Sequence, residues 1–136
     1  MSKSTTSLIP QGNIALDAAT ANMGSPWKMP TYKQTQDLIN GTNHTYTTIN
    51  GVNGVKLTNK TNSSQYIFLP AAGYWSYTSF FDSGSYGHYW TTLPASTGYA
   101  HDFRFNQSNE ITSSSAYYHP ITCGCSVRAI KTFIYK

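Results

Sequence analysis

Charge is scarce in this chain. Of its 136 residues, nine are Lys or Arg and five are Asp or Glu, and the formal net charge is +4. The basic residues are scattered, with no run of five or six, so the concentrated basic face that nucleic-acid binding requires is missing. Apolar runs are short as well. None approaches the roughly 18 consecutive apolar residues of a membrane-spanning helix. The start, Met1-Ser2-Lys3-Ser4-Thr5-Thr6-Ser7, lacks the apolar segment of a secretory signal. Aromatic content of 15% beside only 10% charge argues against a disordered chain. Cysteine is limited to Cys123 and Cys125, which flank one glycine. A bridge between them would close a ring too small for relaxed disulfide geometry. Their spacing makes neither a Cys-x-x-Cys redox motif nor half of a zinc site. They read as two unpaired thiols at variable surface positions.

What the chain has instead is tyrosine. Seven of its eleven tyrosines fall between Tyr74 and Cys125, in a run rich in Ser, Gly and Thr and nearly free of aliphatic residues. Tyrosine offers a large, stiff, amphipathic contact surface at low entropic cost, and Ser, Gly and Asn add adaptable hydrogen bonding. Two segments beside the run read as ordinary core, Ile67 to Gly73 before it and Ser126 to Ile130 after it. A small fixed frame with a long Tyr/Ser-rich display region points to binding rather than catalysis.

The length allows one domain with one modest core. Residues 1–13 read as a flexible or partner-bound arm, and residues 14–136 as the domain. Leu16 to Met23 reads as a short helix ended by Gly24. Thr31 begins a second helix, with Gln34 at capping-box spacing and Asn40-Gly41 at its end. From Tyr46 the apolar period falls to two, and the pairs Asn50-Gly51 and Asn53-Gly54 mark a hairpin or tight loop. Strands are expected at Tyr66 to Leu69, His88 to Thr92, Tyr99 to Phe105 and Ser126 to Phe133, with long surface loops between the later ones. In the third of these, Phe103 and Phe105 point one way while Asp102 and Arg104 point the other. Helices first and short strands after give an α+β domain, two short helices packed on a small twisted, mostly antiparallel sheet.

Several segments in this order resemble a known family: Asp17-Ala18-Ala19, Trp27-Lys28-Met29-Pro30-Thr31, Asn50-Gly51-Val52-Asn53-Gly54, Ile67-Phe68-Leu69-Pro70-Ala71-Ala72-Gly73-Tyr74, Gly87-His88-Tyr89-Trp90 and Gly124-Cys125-Ser126-Val127-Arg128. They are similar to C-type-lectin-like domains of the Fibrobacter-succinogenes-major-paralogous type, common in Bacteroidetes and their phages. Several of those are variable proteins diversified by retroelements. The resemblance implies a C-type-lectin fold whose C-terminal part presents randomised side chains. It also accounts for the odd cysteines, because Asn codons mutated at adenines can become Cys. It implies a place in a phage tail or on a bacterial surface. The partner would be a protein or glycan receptor on a cell surface, and sister subunits or a tail or fibre protein could meet the N-terminal arm. The calcium-dependent sugar triplets of the wider fold do not occur here. Asp82, Asp102 and Glu110 are too sparse for a calcium cage, so neither a cofactor nor a metal is expected.

Other constellations are weaker. His88, His101, Asp102 and His119 lie in separate segments, and His101 and Asp102, adjacent on a strand, face opposite ways. They read as solvent-facing polar contacts. A Cys-His nucleophile pair from Cys123 or Cys125 with His119 would need a depressed thiol pKa and a third orienting group, and no enzyme is expected. Trp27 and Trp90 read as core anchors and Arg128 as a structural hydrogen-bonding residue. Trp75 could cover the core or stand in the binding face. The expected ligand-binding face comprises Tyr77, Phe81, Tyr86, His88, Tyr99, His101, Asp102, Arg104, Tyr117, Tyr118, His119, Thr122, Cys123 and Cys125. Display positions such as Tyr99, His101 and Tyr118 should tolerate alanine. A structural or assembly subunit, with the Tyr/Ser surface meeting sister subunits, is the alternative.

Overall fold

The computed structural model describes residues 17–131; the N-terminal arm expected at residues 1–13 lies outside them. The first helix, α1 (Ala18–Met23), is short and starts on Asp17. The Asp17 carboxylate accepts from the backbone N–H groups of Ala19 and Thr20 at 2.9 and 3.0 Å. It also accepts from Met29 N–H, at 2.9 Å to its nearer oxygen. One buried side chain thus caps the helix and fixes the chain that returns past it through β1 (Trp27–Lys28). Helix α2 (Tyr32–Gly41) begins with the expected capping box. Gln34 N–H donates to Thr31 Oγ1 at 3.1 Å, and Thr31 N–H donates to Gln34 Oε1 at 2.9 Å. The helix runs through Gly41 and ends at Thr42.

The strands β2 (Thr42–Ile49) and β3 (Val52–Asn59) form a hairpin that pairs Ile49 with Val52. Its two-residue turn is Asn50-Gly51, both at positive φ, as a primed hairpin turn requires. The other Asn-Gly pair is no turn. Asn53-Gly54 lies inside β3, where a Cβ on Gly54 would run into the Leu69 carbonyl. That glycine is needed for close approach of β4 (Tyr66–Pro70), which completes a three-stranded sheet in the order β2-β3-β4.

Residues expected in long loops are largely strands. A small hairpin pairs β5 (Tyr74–Ser76) with β6 (Ser79–Phe81), and a second three-stranded sheet has the order β7-β8-β9. Its strands are β7 (Tyr86–Pro94), β8 (Tyr99–Asn106) and β9 (Ile111–Pro120). Strand β9 went unseen in the sequence because Ile111-Thr112-Ser113-Ser114-Ser115 carries no apolar alternation. It pairs through the backbone and through a buried Thr35–Ser113 hydroxyl contact at 2.6 Å. The strand expected from Ser126 to Phe133 is shorter, β10 (Ile130–Lys131), paired antiparallel with β1. Residues 132–133 of it lie outside the described residues. Val127 and Arg128 are exposed, so Ser126 to Ile130 is not the expected core segment.

The described residues therefore form an α+β arrangement of mostly antiparallel strands with two short helices. The core lies between the two larger sheets and α2. Val55, Leu57, Leu69 and Ala71 meet Tyr89, Phe103 and Phe105, with Leu38, Ile39 and Tyr46 packed against them. Polar ties cross the same gap: Tyr89 donates to the Pro70 carbonyl at 2.8 Å, and Asn109 Oδ1 accepts from Tyr46 N–H at 2.8 Å. Among the described residues, no helix is long and apolar enough to cross a membrane.

This packing sets the stability expectations. Leu69→Ala should cost about 2–5 kcal/mol and Phe103→Ala about 3–5 kcal/mol, because each empties a fully enclosed site. Tyr77→Ala, at a 99% exposed position, should stay within about 0.5 kcal/mol. Denaturant melts of the three variants would read this directly, and equal losses would refute the division into frame and display.

Candidate binding face

Strand alternation gives the β7-β8-β9 sheet two different faces. Tyr89, Phe103 and Phe105 enter the core, so their neighbours point the other way. The register sets Trp90 beside Asp102 and His88 beside Arg104. Trp90 thus stands on the outer face, half-buried, and is not the core anchor its sequence context suggested.

Asp102 is the centre of this outer face and is only 1% exposed. Arg104 grips it in a fork, with Nε to Oδ2 at 3.1 Å and Nη2 to Oδ1 at 2.7 Å. His88 Nδ1 meets Oδ2 at 3.1 Å, and His119 Nδ1 lies 3.4 Å from Oδ1. The other nitrogen of His88 faces Asp82 Oδ2 at 3.3 Å. Burial alone would raise the Asp102 pKa. The hydrogen bonds from His119, His88 and Arg104, with the Arg104 charge, outweigh it and hold the carboxyl well below its ordinary value. The expectation of solvent-facing contacts in separate segments is thereby corrected for His88, Asp102 and His119. Neighbouring strands bring together what the sequence keeps apart.

His88, Asp102 and His119 present ligating atoms within 4.8 Å of one another, which is compact enough for a metal ion. The Arg104 fork engages both carboxylate oxygens, however, so a cation would have to compete with a bound guanidinium. The set also lacks the parts of a hydrolytic triad. Such a pair needs a nucleophile at the second nitrogen of the histidine, and His88 has a second carboxylate there. Cys125 is no substitute. Burial pushes its thiol pKa up, and the neighbouring Asp102 and Cys123 push it further, the opposite of an activated thiol.

Around this centre the rings form a continuous chain. Phe81 stacks on Tyr74 at 5.4 Å, and Tyr74 lies 4.6 Å from His119. Arg104 approaches His119 at 3.5 Å and lies over the Tyr117 ring at 4.4 Å. Tyr86 stacks on His88 at 5.6 Å. A second group sits apart from this chain. His101 and Tyr118 are partners across β8 and β9, their rings 6.1 Å apart. Tyr99 meets Tyr118 edge-on at 5.5 Å, and His101 faces Tyr32 of α2 at 6.4 Å.

The residues expected to form one face thus divide. Tyr77, Phe81, Tyr99, Tyr117, Tyr118 and Thr122 are exposed, while Tyr86, Arg104, His119 and Cys125 are half-buried. His88, His101, Asp102 and Cys123 are buried, which corrects their assignment to the contact surface. His88 and Asp102 support it from below, through the contacts to Tyr74, Tyr86 and Arg104. The two thiols are unpaired, but neither is at an exposed position as expected. His101 joins the frame, and the tolerance expected of it is corrected on the same ground. The expected face also omitted two ring contributors, Tyr74 and Phe80, and left open whether Trp75 covers the core or stands in the face, where it is exposed. Their signal was a Tyr-Trp-Ser/Ser-Phe-Phe alternation around Tyr77-Thr78, obscured because that turn has no glycine or asparagine.

No family model matches this chain, and neither a curated protein nor a solved structure does.

Two outcomes follow for the buried centre. A carboxyl whose pKa is depressed on folding stabilises above its unfolded value and loses that contribution as pH falls toward its folded one. Melting temperature should therefore drop as pH falls below the ordinary aspartate value of 3.8, and the Asp102-specific part of the drop should vanish in Asp102→Asn. That variant strands Arg104 and should lose about 3–5 kcal/mol at neutral pH. Separately, iodoacetamide should label Cys125 at pH 8 far more slowly in the folded protein than in urea. Equal rates would contradict a suppressed thiolate.

Proposed function

We propose that this chain is a non-catalytic binding module of the C-type-lectin-like kind, a variable protein diversified by a retroelement and carried on a phage tail or bacterial surface. Its partner is a protein or glycan receptor. One observation carries the reading. Of eleven exposed large apolar side chains among the described residues, seven are aromatic and lie between Trp75 and Tyr118. Exposed apolar groups mark interaction surfaces where they cluster, as Phe81 and Tyr117 do around His119 and Arg104 and Tyr99 does against Tyr118, and tyrosine and tryptophan are the side chains that most often carry binding energy.

The frame beneath supports the same reading. All the exposed rings between Trp75 and Tyr118 except Tyr77 stand on strands, and Asp102 fixes Arg104 against Tyr117, so the contact groups lose little freedom on binding. The family resemblance adds the diversified character, with Tyr77, Phe81, Tyr99, Tyr117, Tyr118 and Thr122 as the accessible positions.

The genomic neighbourhood tests the diversified character. A near-repeat of the coding sequence beside a reverse transcriptase, differing only at adenines, is the expected result; without it that part of the reading falls. With a receptor in hand, alanine at Tyr117, Phe81 or Tyr77 should weaken binding about thirtyfold or more at the anchoring positions. Lys33→Ala on α2 should leave binding intact, and a footprint centred on the two helices would overturn the proposal.

A further inference from the structure

The β5–β6 hairpin carries a feature that the ring chain around Asp102 does not use. Trp75 and Phe80 are cross-strand partners and stack with centroids 4.9 Å apart and planes 29° apart. The Tyr74–Phe81 pair packs inward on His119, so alternation turns Trp75 and Phe80 to the opposite side of the hairpin. Trp75 is 52% exposed and Phe80 45%. Together they form a flat apolar platform open to solvent.

The platform is held in place. Trp75 N–H donates to the Gly124 carbonyl at 2.9 Å, and Gly124 N–H donates back to the Trp75 carbonyl at 2.8 Å. A Cβ on Gly124 would lie 3.3 Å from the Trp75 Cβ, so the glycine lets the tail of the display region lie close against the tryptophan. A two-stranded hairpin is marginal alone; this clasp adds a third backbone partner.

The hairpin itself carries no charged residue, and Asp82, which follows it, faces His88 at 3.3 Å. Between Lys60 and Arg104 the only charged residues are Asp82 and Asp102, and Asp102 is buried and paired. The hairpin tip, Ser76-Tyr77-Thr78-Ser79, offers hydroxyl groups alone. Tyr77 stands at its end, fully exposed and at φ +54°, a left-handed conformation that is uncommon outside glycine.

We propose that the Trp75–Phe80 platform binds a neutral sugar, with the face of a pyranose ring laid on the two aromatic rings and its hydroxyl edge reaching the hairpin tip. The proposal rests on the binding-module reading and names the ligand class for it. A pyranose presents an apolar C–H face and a rim of donors and acceptors with no charge, which complements a flat ring surface edged by hydroxyls. C–H contacts to ring faces and oxygens are individually weak, so a rigid platform matters. An anionic ligand would find no cationic side chain on the hairpin, residues 74–81.

The whole chain would be titrated with maltotetraose, cellotetraose and chitotetraose while the Trp75 indole N–H is followed by NMR. It would also be applied to an array of neutral, sialylated and sulfated glycans. At least one neutral glycan should bind saturably with Kd on the order of 1 mM or tighter. Trp75→Ala and Phe80→Ala should each weaken it at least about tenfold. Tyr66→Ala, an exposed aromatic outside the display region, should leave it unchanged. If Trp75→Ala lowers the melting temperature, Trp75→Leu keeps bulk at the position while removing the flat face, and it should lose binding too. Binding to acidic glycans alone, binding that survives Trp75→Ala, or no glycan binding at all would overturn the proposal. A protein receptor lost on Trp75→Ala, with no glycan bound, would overturn the sugar class and leave the binding-module reading standing.

Discussion

The outer face of this protein depends on one buried carboxylate. Asp102 carries charge in a place closed to water, which is tolerable only because it is paired and hydrogen-bonded. The donors come from three strands: His88 from β7, Arg104 from β8 and His119 from β9. Each engages a defined oxygen, so the carboxylate fixes the lateral relation of the strands more tightly than backbone pairing alone. A network of this kind adds little net stability compared with a well-packed apolar one. What it contributes here is position. Arg104 cannot swing away from Tyr117 without leaving the fork, and His119 cannot leave Tyr74 without giving up the carboxylate.

The result differs from a paratope built on mobile loops. The exposed rings other than Tyr77 project from strands, and the outer face of the β7-β8-β9 sheet is itself polar and aromatic rather than aliphatic. Two apolar systems therefore sit on opposite sides of one sheet. The side carrying Tyr89, Phe103 and Phe105 closes against β3 and β4, and the side carrying His88, Trp90, Asp102, Arg104 and His119 faces outward. Polar groups under the outer rings keep that side from collapsing into a second core.

Much of the frame was legible in the sequence because its signals are local. Asp17 before an alanine-rich stretch, Thr31 with Gln34 three residues on, Asn50-Gly51 between alternating residues, and Phe103/Phe105 each reported a neighbour within a few positions. What was illegible was set by distant partners. The second Asn-Gly pair reads like a turn but sits in a strand, because Leu69 crosses it. Strand β9 opens with a run of serines that gives no period, and its place is decided by β8 and Thr35. The same limit governed the site. Spacing cannot reveal that His88, Asp102 and His119 converge, since 14 residues separate the first two and a whole strand separates the third. Alternation correctly set Asp102 and Arg104 opposite the phenylalanines. It could not say that Tyr74 of the β5–β6 hairpin packs on His88 and His119 on this side, nor that Asp102 is buried there.

The backbone at Tyr77 has a bearing on heredity. A hairpin tip held at φ +54° screens whatever residue the gene supplies there. Glycine, asparagine and aspartate adopt that region readily, while valine, isoleucine and threonine are sterically opposed to it. Among descendants of this gene the tip position would then be a biased draw, with its alphabet trimmed by the fold before any ligand selects among the survivors.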